Sequence, residues 1–348
     1  MRRRDRGTAG VRALPWAALV ALPLALAGCS GNGQNALHPH SHAARDIASL
    51  FWWMTGGAFL GLGLIVGLLV LSWVRRGRRG VPSDPNDPKP GEGFAVKVVV
   101  ALGVVVPILV MTAIFTIGDV FVMKTTAAPY SRTRTTLTVQ AVGVQWYWKF
   151  LYPGTRAVTA DELHIPVRTP VNLVATTADV IHSFSVPELN RKIDTIPGTK
   201  NRIVLYADEV GVYRGRCAEF CGLQHAHMAM TVYVDPPARF RAWLRAQSAP
   251  ARTPTTALQR RGERVFLDGP CSSCHTIRGT SARGYLGPDL THLASRRTLA
   301  GATIPNRKGY LAGWIMDSQH VKPGNQMPDM DLSGPQLQAL LAYLESLK

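Results

Sequence analysis

Residues Ile47 to Val74 form a run of 28 without a single charge, and Val98 to Gly118 form another of 21. A bilayer-spanning helix needs roughly 20 apolar residues, and inside hydrocarbon only a helix or a closed barrel satisfies every backbone group. Two such runs separated by a short polar stretch predict a helical hairpin, with helices near 47–74 and 94–121. Phe51, Trp52, Trp53 and Trp73 sit near the ends of the first run, where interfacial aromatics belong. The intervening segment opens with Arg75-Arg-Gly-Arg-Arg79 and continues Pro-rich from Val81 to Gly91. Basic loops stay on the cytoplasmic side, so both ends of the hairpin are expected on the outer face. Hydrophobic residues make up 46% and charged residues only 18%, which suits a chain that is part membrane, part soluble. A net charge of +17 could serve nucleic acid, an anionic membrane or an acidic partner. No nucleic-acid motif is present.

Upstream of the hairpin, Arg2, Arg3, Arg4 and Arg6 precede an apolar stretch from Ala13 to Ala27, the pattern of a secretory signal peptide over residues 1–28. Leu26-Ala-Gly-Cys29 resembles a bacterial lipobox, which would make Cys29 the acylated first residue of a lipoprotein. The leader holds five arginines and one aspartate, so cleavage would leave about +13.

Beyond Thr135 the pattern turns to β. Thr136–Gln145, Glu162–Val167, Val171–Thr177, Ile181–Val186, Arg202–Ala207 and Met230–Val234 are short runs punctuated by Pro and Gly, the mark of a sandwich or barrel. Within this region lies Cys217-Ala-Glu-Phe-Cys-Gly-Leu-Gln-His-Ala-His-Met228. Thiolates from Cys217 and Cys221, an imidazole from His225 and a thioether from Met228 are soft and borderline donors that select copper. Two thiolates suggest two coppers, with a further His from elsewhere. A disulfide or a closed zinc site fits the cysteine spacing too, although Met is a poor zinc ligand and Glu219 has no role in such a site.

Asp235–Ala246 reads as a short amphipathic helix, and Gln247–Thr256 as a flexible, Pro-rich linker. Cys271-Ser-Ser-Cys-His275 is then the covalent c-type haem motif, with both thiols on the haem and His275 on its iron. A helix at Leu258–Leu267 precedes it. Leu286-Gly-Pro-Asp-Leu290, Val321-Lys-Pro-Gly-Asn-Gln-Met-Pro328 and a terminal helix Ser333–Leu347, opened by a Ser-x-x-Gln capping box, follow. Met316, His320, Met327 and Met330 are the candidates for the distal iron ligand. Met327 is favoured because Pro323, Gly324 and Pro328 stiffen its loop. The order resembles a class I cytochrome c, and a Met/His iron suits electron transfer. The five cysteines are thereby all assigned, leaving none for a structural disulfide.

The copper loop closely resembles the copper A loop of cytochrome c oxidase subunit II. The resemblance extends to His182-Ser-Phe-x-Val-Pro-x-Leu189 with Lys192-x-Asp194-x-x-Pro-Gly198, and to Gln145-Trp-Tyr-Trp148. Together with hairpin and haem domain it points to the caa-type subunit with a fused cytochrome c. It implies a multidomain fold: a two-helix transmembrane hairpin (29–124), an all-β cupredoxin-like copper A domain (125–246), a linker (247–256) and an all-α cytochrome c domain (257–348). It implies His182, Cys217, Glu219, Cys221, His225 and Met228 as dinuclear copper A ligands, with Glu219 using its carbonyl. Its carboxylate would hold Mg or Mn at the subunit I boundary. His164 and His227 are not expected as ligands. Trp146 would be the point where electrons enter, or an aromatic of the sandwich core. Subunits I and III would be partners, and a cytochrome c or membrane-bound cytochrome c/bc complex the donor. Electrons would pass through haem c and copper to the haem of subunit I, where oxygen is reduced and protons are translocated. The family's helix 2 usually carries a Glu seven residues before its proline. Val100 stands there instead, and Glu92 is expected in the loop, a departure from that pattern. A copper A nitric oxide reductase subunit and a membrane-anchored electron shuttle are the alternative readings.

Overall fold

The computed structural model describes residues 34–76, 92–123 and 135–348. The signal peptide, Cys29 and the Arg/Pro-rich loop lie outside the described residues. Helix α1, His42–Arg76, is 35 residues long, and starts five residues before the uncharged run. Its first turns are buried against the sandwich and carry the charged residues that the lipid-facing part lacks: Ala43, Ala44 and Ala48 are buried. The second apolar helix, α2, runs through Glu92–Val100, widens to π turns at Ala101–Val105, continues as Val106–Ile117 and widens again at Gly118–Met123. Glu92, expected in the loop, is its first residue. Thr112 and Thr116 hydroxyls donate to the carbonyls of Ile108 and Thr112 four residues back, which satisfies them where no water is available. Spans of 34 and 28 residues in these helices are long and apolar enough to cross a membrane.

Two five-stranded sheets follow. Strands β1 (Leu137–Val144), β2 (Tyr147–Leu151), β3 (Val158–Ala160), β5 (Val171–Thr177) and β8 (Asn201–Leu205) make one, in the order β3-β2-β1-β5-β8. Strands β4 (Glu162–Pro166), β6 (His182–Ser185), β7 (Ile193–Thr195), β9 (Gly211–Cys217) and β10 (Ala229–Asp235) make the other, ordered β4-β10-β9-β6-β7. Their inner faces meet in a core of Trp148, Phe150, Phe184, Leu163, Ile165, Leu173 and Ile203, none more than 2% exposed. Alternation is clean on β1 and β5, as half-buried strands require. Strands β2, β3, β7 and β9 were not legible as separate runs. Three are short or polar, and in β2 the aromatics mask the alternation. Helix α3, Pro237–Ser248, closes the sandwich with Phe240 and extends two residues into the expected linker.

The C-terminal domain has α4 (Ala257–Asp268), the single turn α5 (Cys271–Cys274), α6 (Lys308–Met316), α7 (Ser318–Val321) and α8 (Gly334–Leu344). Capping boxes Thr256/Gln259 and Ser333/Gln336 start α4 and α8. These two helices cross at Gly262, where a Cβ would lie 1.9 Å from the Ala339 carbonyl oxygen.

The linker expected to be flexible is held. The Arg278 guanidinium donates to the carbonyls of Gln247 and Ser248, and Ala251 N–H donates to Arg278 O. The C-terminal domain is docked on the sandwich through further bonds. Arg297 N–H donates to Glu162 (2.6 Å), Ala229 N–H to Gly301 O (3.1 Å), Gly301 N–H to Asp161 (3.2 Å) and Gln224 Nε2 to Pro323 O (2.7 Å). Lys322, 3% exposed, donates to the carbonyls of Trp146 (2.8 Å) and His227 (3.0 Å).

Candidate metal and haem centres

Strand pairing assembles the copper-type donors. β6 pairs with β9 so that Phe184 faces Cys217, which sets His182, the first residue of β6, beside Cys217, the last of β9. Ala218 N–H donates to Ser183 O, and Cys217 N–H to Met228 O, closing the loop on itself. The two sulfurs lie 3.8 Å apart, far from the ~2.05 Å of a disulfide. Cys217 Sγ is 4.0 Å from His182 Nδ1 and 3.1 Å from the Glu219 carbonyl. Cys221 Sγ is 3.6 Å from His225 Nδ1 and 3.9 Å from Met228 Sδ. Each thiolate thus has its own imidazole and its own weak donor. Two sulfurs open to one another, each with one imidazole, fit two soft ions that share both sulfurs. The Glu219 carbonyl beside one sulfur and the Met228 thioether beside the other are donors that a closed zinc site does not use.

His182 is fully buried, and its Nε2–H donates to the Asp179 carboxylate at 2.8 Å. That fixes the tautomer and turns Nδ1 toward the sulfur, the usual task of a carboxylate behind a metal-bound His. Gln145 N–H and Val180 N–H in turn hold Asp179. Against burial, the Asp179 carboxylate beside it raises the His182 pKa, while those same bonds lower that of Asp179. Gly143 makes the room, since a Cβ there would lie 2.6 Å from the His182 ring. Cys217 is pulled well below an ordinary thiol by the hydrogen bond from Cys221, with His182 adding to the effect.

The remaining residues fall into place around this. The Glu219 carboxylate pairs with Lys192 at 3.1 Å on the open side of the loop. His164 lies elsewhere, bonded to Asp235 and stacked on Trp243. His227 is bonded to Gln224. Asp179 had not been picked out from the sequence. The signal available was an acid three residues before His182, across a turn.

The second centre is an apolar cavity of about 380 Å³ lined by Cys271, Cys274, His275, Met327 and Met330. Leu286, Leu293, Leu299, Leu311, Ile315 and Leu344 supply its oily walls. His275 Nδ1–H donates to Pro288 O at 2.8 Å, which leaves Nε2 free for a metal. Burial lowers its pKa and favours the neutral ring. Gly287 packs under it, where a Cβ would come within 2.5 Å of the imidazole. Two thiols, a neutral imidazole and thioethers around one apolar cavity fit a covalently attached haem. Met316 and His320 are not among the cavity's lining residues.

Trp146, Tyr147, Gln145 and Asp161 of the sandwich line the same cavity. Trp146 is 8% exposed, and its indole N–H donates to Cys221 O at 2.9 Å. It therefore touches both centres, a position that sequence could not supply because it depends on how the domains dock. Lys322 and Asp161, also around this wall, are buried charges, and Arg296 beside them is half-buried; none stands out in the sequence.

The family described as cytochrome c oxidase subunit II, periplasmic domain, matches residues 155–234, and that described as cytochrome c matches residues 259–348. Cytochrome c oxidase subunit 2 of Alkalihalophilus pseudofirmus is 33% identical, over 94% of this chain and 95% of its own. The subunit 2 of Bacillus sp. strain PS3 is 32% identical, over 73% of this chain and 72% of its own. Among solved structures, the periplasmic domain of subunit II of cytochrome oxidase from Bradyrhizobium japonicum is 31% identical, over 34% of this chain and 99% of that one, with a TM-score of 0.32.

Proposed function

The chain belongs to the cytochrome c oxidase subunit II family, and from that membership we infer that it is the electron-input arm of its oxidase. It is a two-pass subunit of a haem-copper oxidase with a cytochrome c domain fused behind the copper-domain fold. Its partner is subunit I, and its electrons come from a cytochrome c.

We propose the finer path as follows. The two centres, when loaded, supply reversible one-electron chemistry. Cys271 and Cys274 would anchor the haem, His275 would hold its iron through Nε2, and Met327 would supply the thioether ligand. His182, Cys217, Cys221, His225 and Met228 hold the copper pair with the Glu219 carbonyl, and the partly exposed Glu219 carboxylate offers itself to Mg or Mn at subunit I. Trp146 joins the two, and that double contact is the observation that carries the proposal. With the indole already covered by the chain's own haem domain, an external donor is expected to dock at the haem domain. The copper and haem domains lie on the outer face. Subunit III as a partner, and acylation of Cys29 after loss of residues 1–28, complete the proposal, and the intact mass of the subunit checks the latter.

The test is copper and haem analysis of the full-length chain in detergent. Two coppers and one covalent haem are expected. His182→Ala should lose most of the copper, while His164→Ala and His227→Ala keep it. Zinc bound by sulfur at Cys217 and Cys221, or equal losses in all three variants, would overturn the ligand assignment.

A further inference from the structure

The segment that leads into α1 carries His38-Pro-His40-Ser-His42, and none of the functions above uses it. It is pinned to the copper domain by its backbone: His40 N–H donates to Glu188 O at 2.8 Å, and Asp208 N–H donates to His40 O at 2.9 Å. Ser41 Oγ donates to Leu189 O, and the Arg45 guanidinium pairs with Asp208. That pinning brings three side chains from distant parts of the chain together. His38 Nδ1 and His40 Nε2 are 2.9 Å apart, and Glu188 Oε2 is 3.6 Å from His40 Nε2. All three donor atoms lie within 4.8 Å of one another. The Glu188 side chain is only 8% exposed, and its sole ion-pair partner among the described residues is His40. The other nitrogen of His40, Nδ1, faces Glu209 at 3.8 Å, and its ring packs on Tyr213.

We propose that His38, His40 and Glu188 form a site for one divalent transition-metal ion of the zinc class, which clamps the chain entering α1 to the copper domain. Two imidazoles and one carboxylate are a common three-ligand zinc set, with the remaining position left to water. Donors at ~2.0–2.1 Å from one tetrahedral ion stand ~3.3 Å apart, so the two imidazole nitrogens, 2.9 Å apart, need only open slightly to take it. The carboxylate closes the set with a small side-chain rotation. Glu209 behind Nδ1 is the outer carboxylate that orients a metal-bound His. The donors are too few and too nitrogen-rich for magnesium or calcium, which take oxygen shells. The site is independent of the copper and haem assignments, because it shares no residue with them.

Zinc chloride titrated into the copper- and haem-loaded full chain in detergent, followed by competition with a chromophoric chelator, tests this. One zinc per chain is expected, with nitrogen and oxygen neighbours at the zinc absorption edge, and magnesium should not compete. His40→Ala and His38→Ala should each weaken binding about a hundredfold, and Glu209→Gln about tenfold. Glu188→Gln should also weaken it, whereas His42→Ala, whose ring faces Asp208 at 3.9 Å, should leave it unchanged. Copper content and the haem spectrum serve as the folding control in each variant. Absence of a zinc site, zinc held by sulfur, or affinity indifferent to His40→Ala and Glu188→Gln would overturn the proposal.

Discussion

Asp161 shows how far a single side chain depends on both halves of the molecule. It is 5% exposed, adopts φ 61°, and accepts from Trp148 N–H within the sandwich and Gly301 N–H across the domain boundary. Burial raises its carboxyl from 3.8 to about 6, although those bonds and nearby Lys322 and Arg296 pull the other way. A carboxyl raised in the folded state takes up a proton on folding between those two values, so its contribution to stability grows as pH falls through that window. Relative to Asp161→Asn, the wild-type chain should gain up to about 3 kcal/mol between pH 7 and pH 4, read as the difference between denaturant midpoints of the two proteins. A pH-independent difference would mean that Asp161 is solvated. Lys322 behaves as a matched opposite: burial lowers its ammonium to about 8. None of this was legible in sequence, where Asp161 and Lys322 look like ordinary surface charges 161 residues apart. The copper-type donors were legible because four of them share one short loop. His182 needed the family likeness, since only the pairing of β6 with β9 sets it beside Cys217.

At the level of elements, the loop from α7 to α8 carries both methionines that face the cavity. Met327 and Met330 both line the haem cavity, so proximity does not separate them. Their backbones do. Met327 N–H donates to Asn325 Oδ1, and its carbonyl accepts from Ser318 Oγ (2.6 Å) and Gln319 Nε2 (3.1 Å). Asn325 is itself tied to Ser318 and Lys322. A weak thioether bond gains from a backbone already fixed. Met327→Ala should therefore remove the thioether-to-iron absorption at the red end of the haem spectrum and lower the potential, whereas Met330→Ala should leave both in place. The reverse result would move the ligand three residues on. The stiffness expected from Pro323, Gly324 and Pro328 is present, yet most of it comes from Ser318, Gln319 and Asn325, whose side chains no periodicity singles out. Capped helices were readable because a cap is local. The crossing of α4 and α8 was not, because Gly262 has meaning only once Ala339 is across from it.

For the whole molecule, the decisive fact is that the haem domain is docked rather than loosely tethered. The expectation of a flexible linker treated the tether as a way to raise local donor concentration. Instead, Lys322 joins the loop of Met327 to the carbonyls of Trp146 and His227. Removing its amine leaves the Trp146 carbonyl without that donor and the His227 carbonyl with only the long bond from the Thr303 hydroxyl, at a cost of about 1–3 kcal/mol. Electron transfer from haem to copper, timed after flash reduction, should be insensitive to added glycerol in the wild-type chain. In Lys322→Met it should slow as viscosity rises, because the domains must then find each other. Viscosity dependence already present in the wild type would show that the domains part between turnovers. On the proposed path, a donor fixed against its acceptor would also work as a turnstile. It cannot be exchanged for a fresh, reduced copy, so it must be refilled in place before each passage. Throughput would then follow the encounter of the outer face of the haem domain with the next mobile donor, and crowding or salt in the surrounding medium would act on that encounter while leaving the inner step alone.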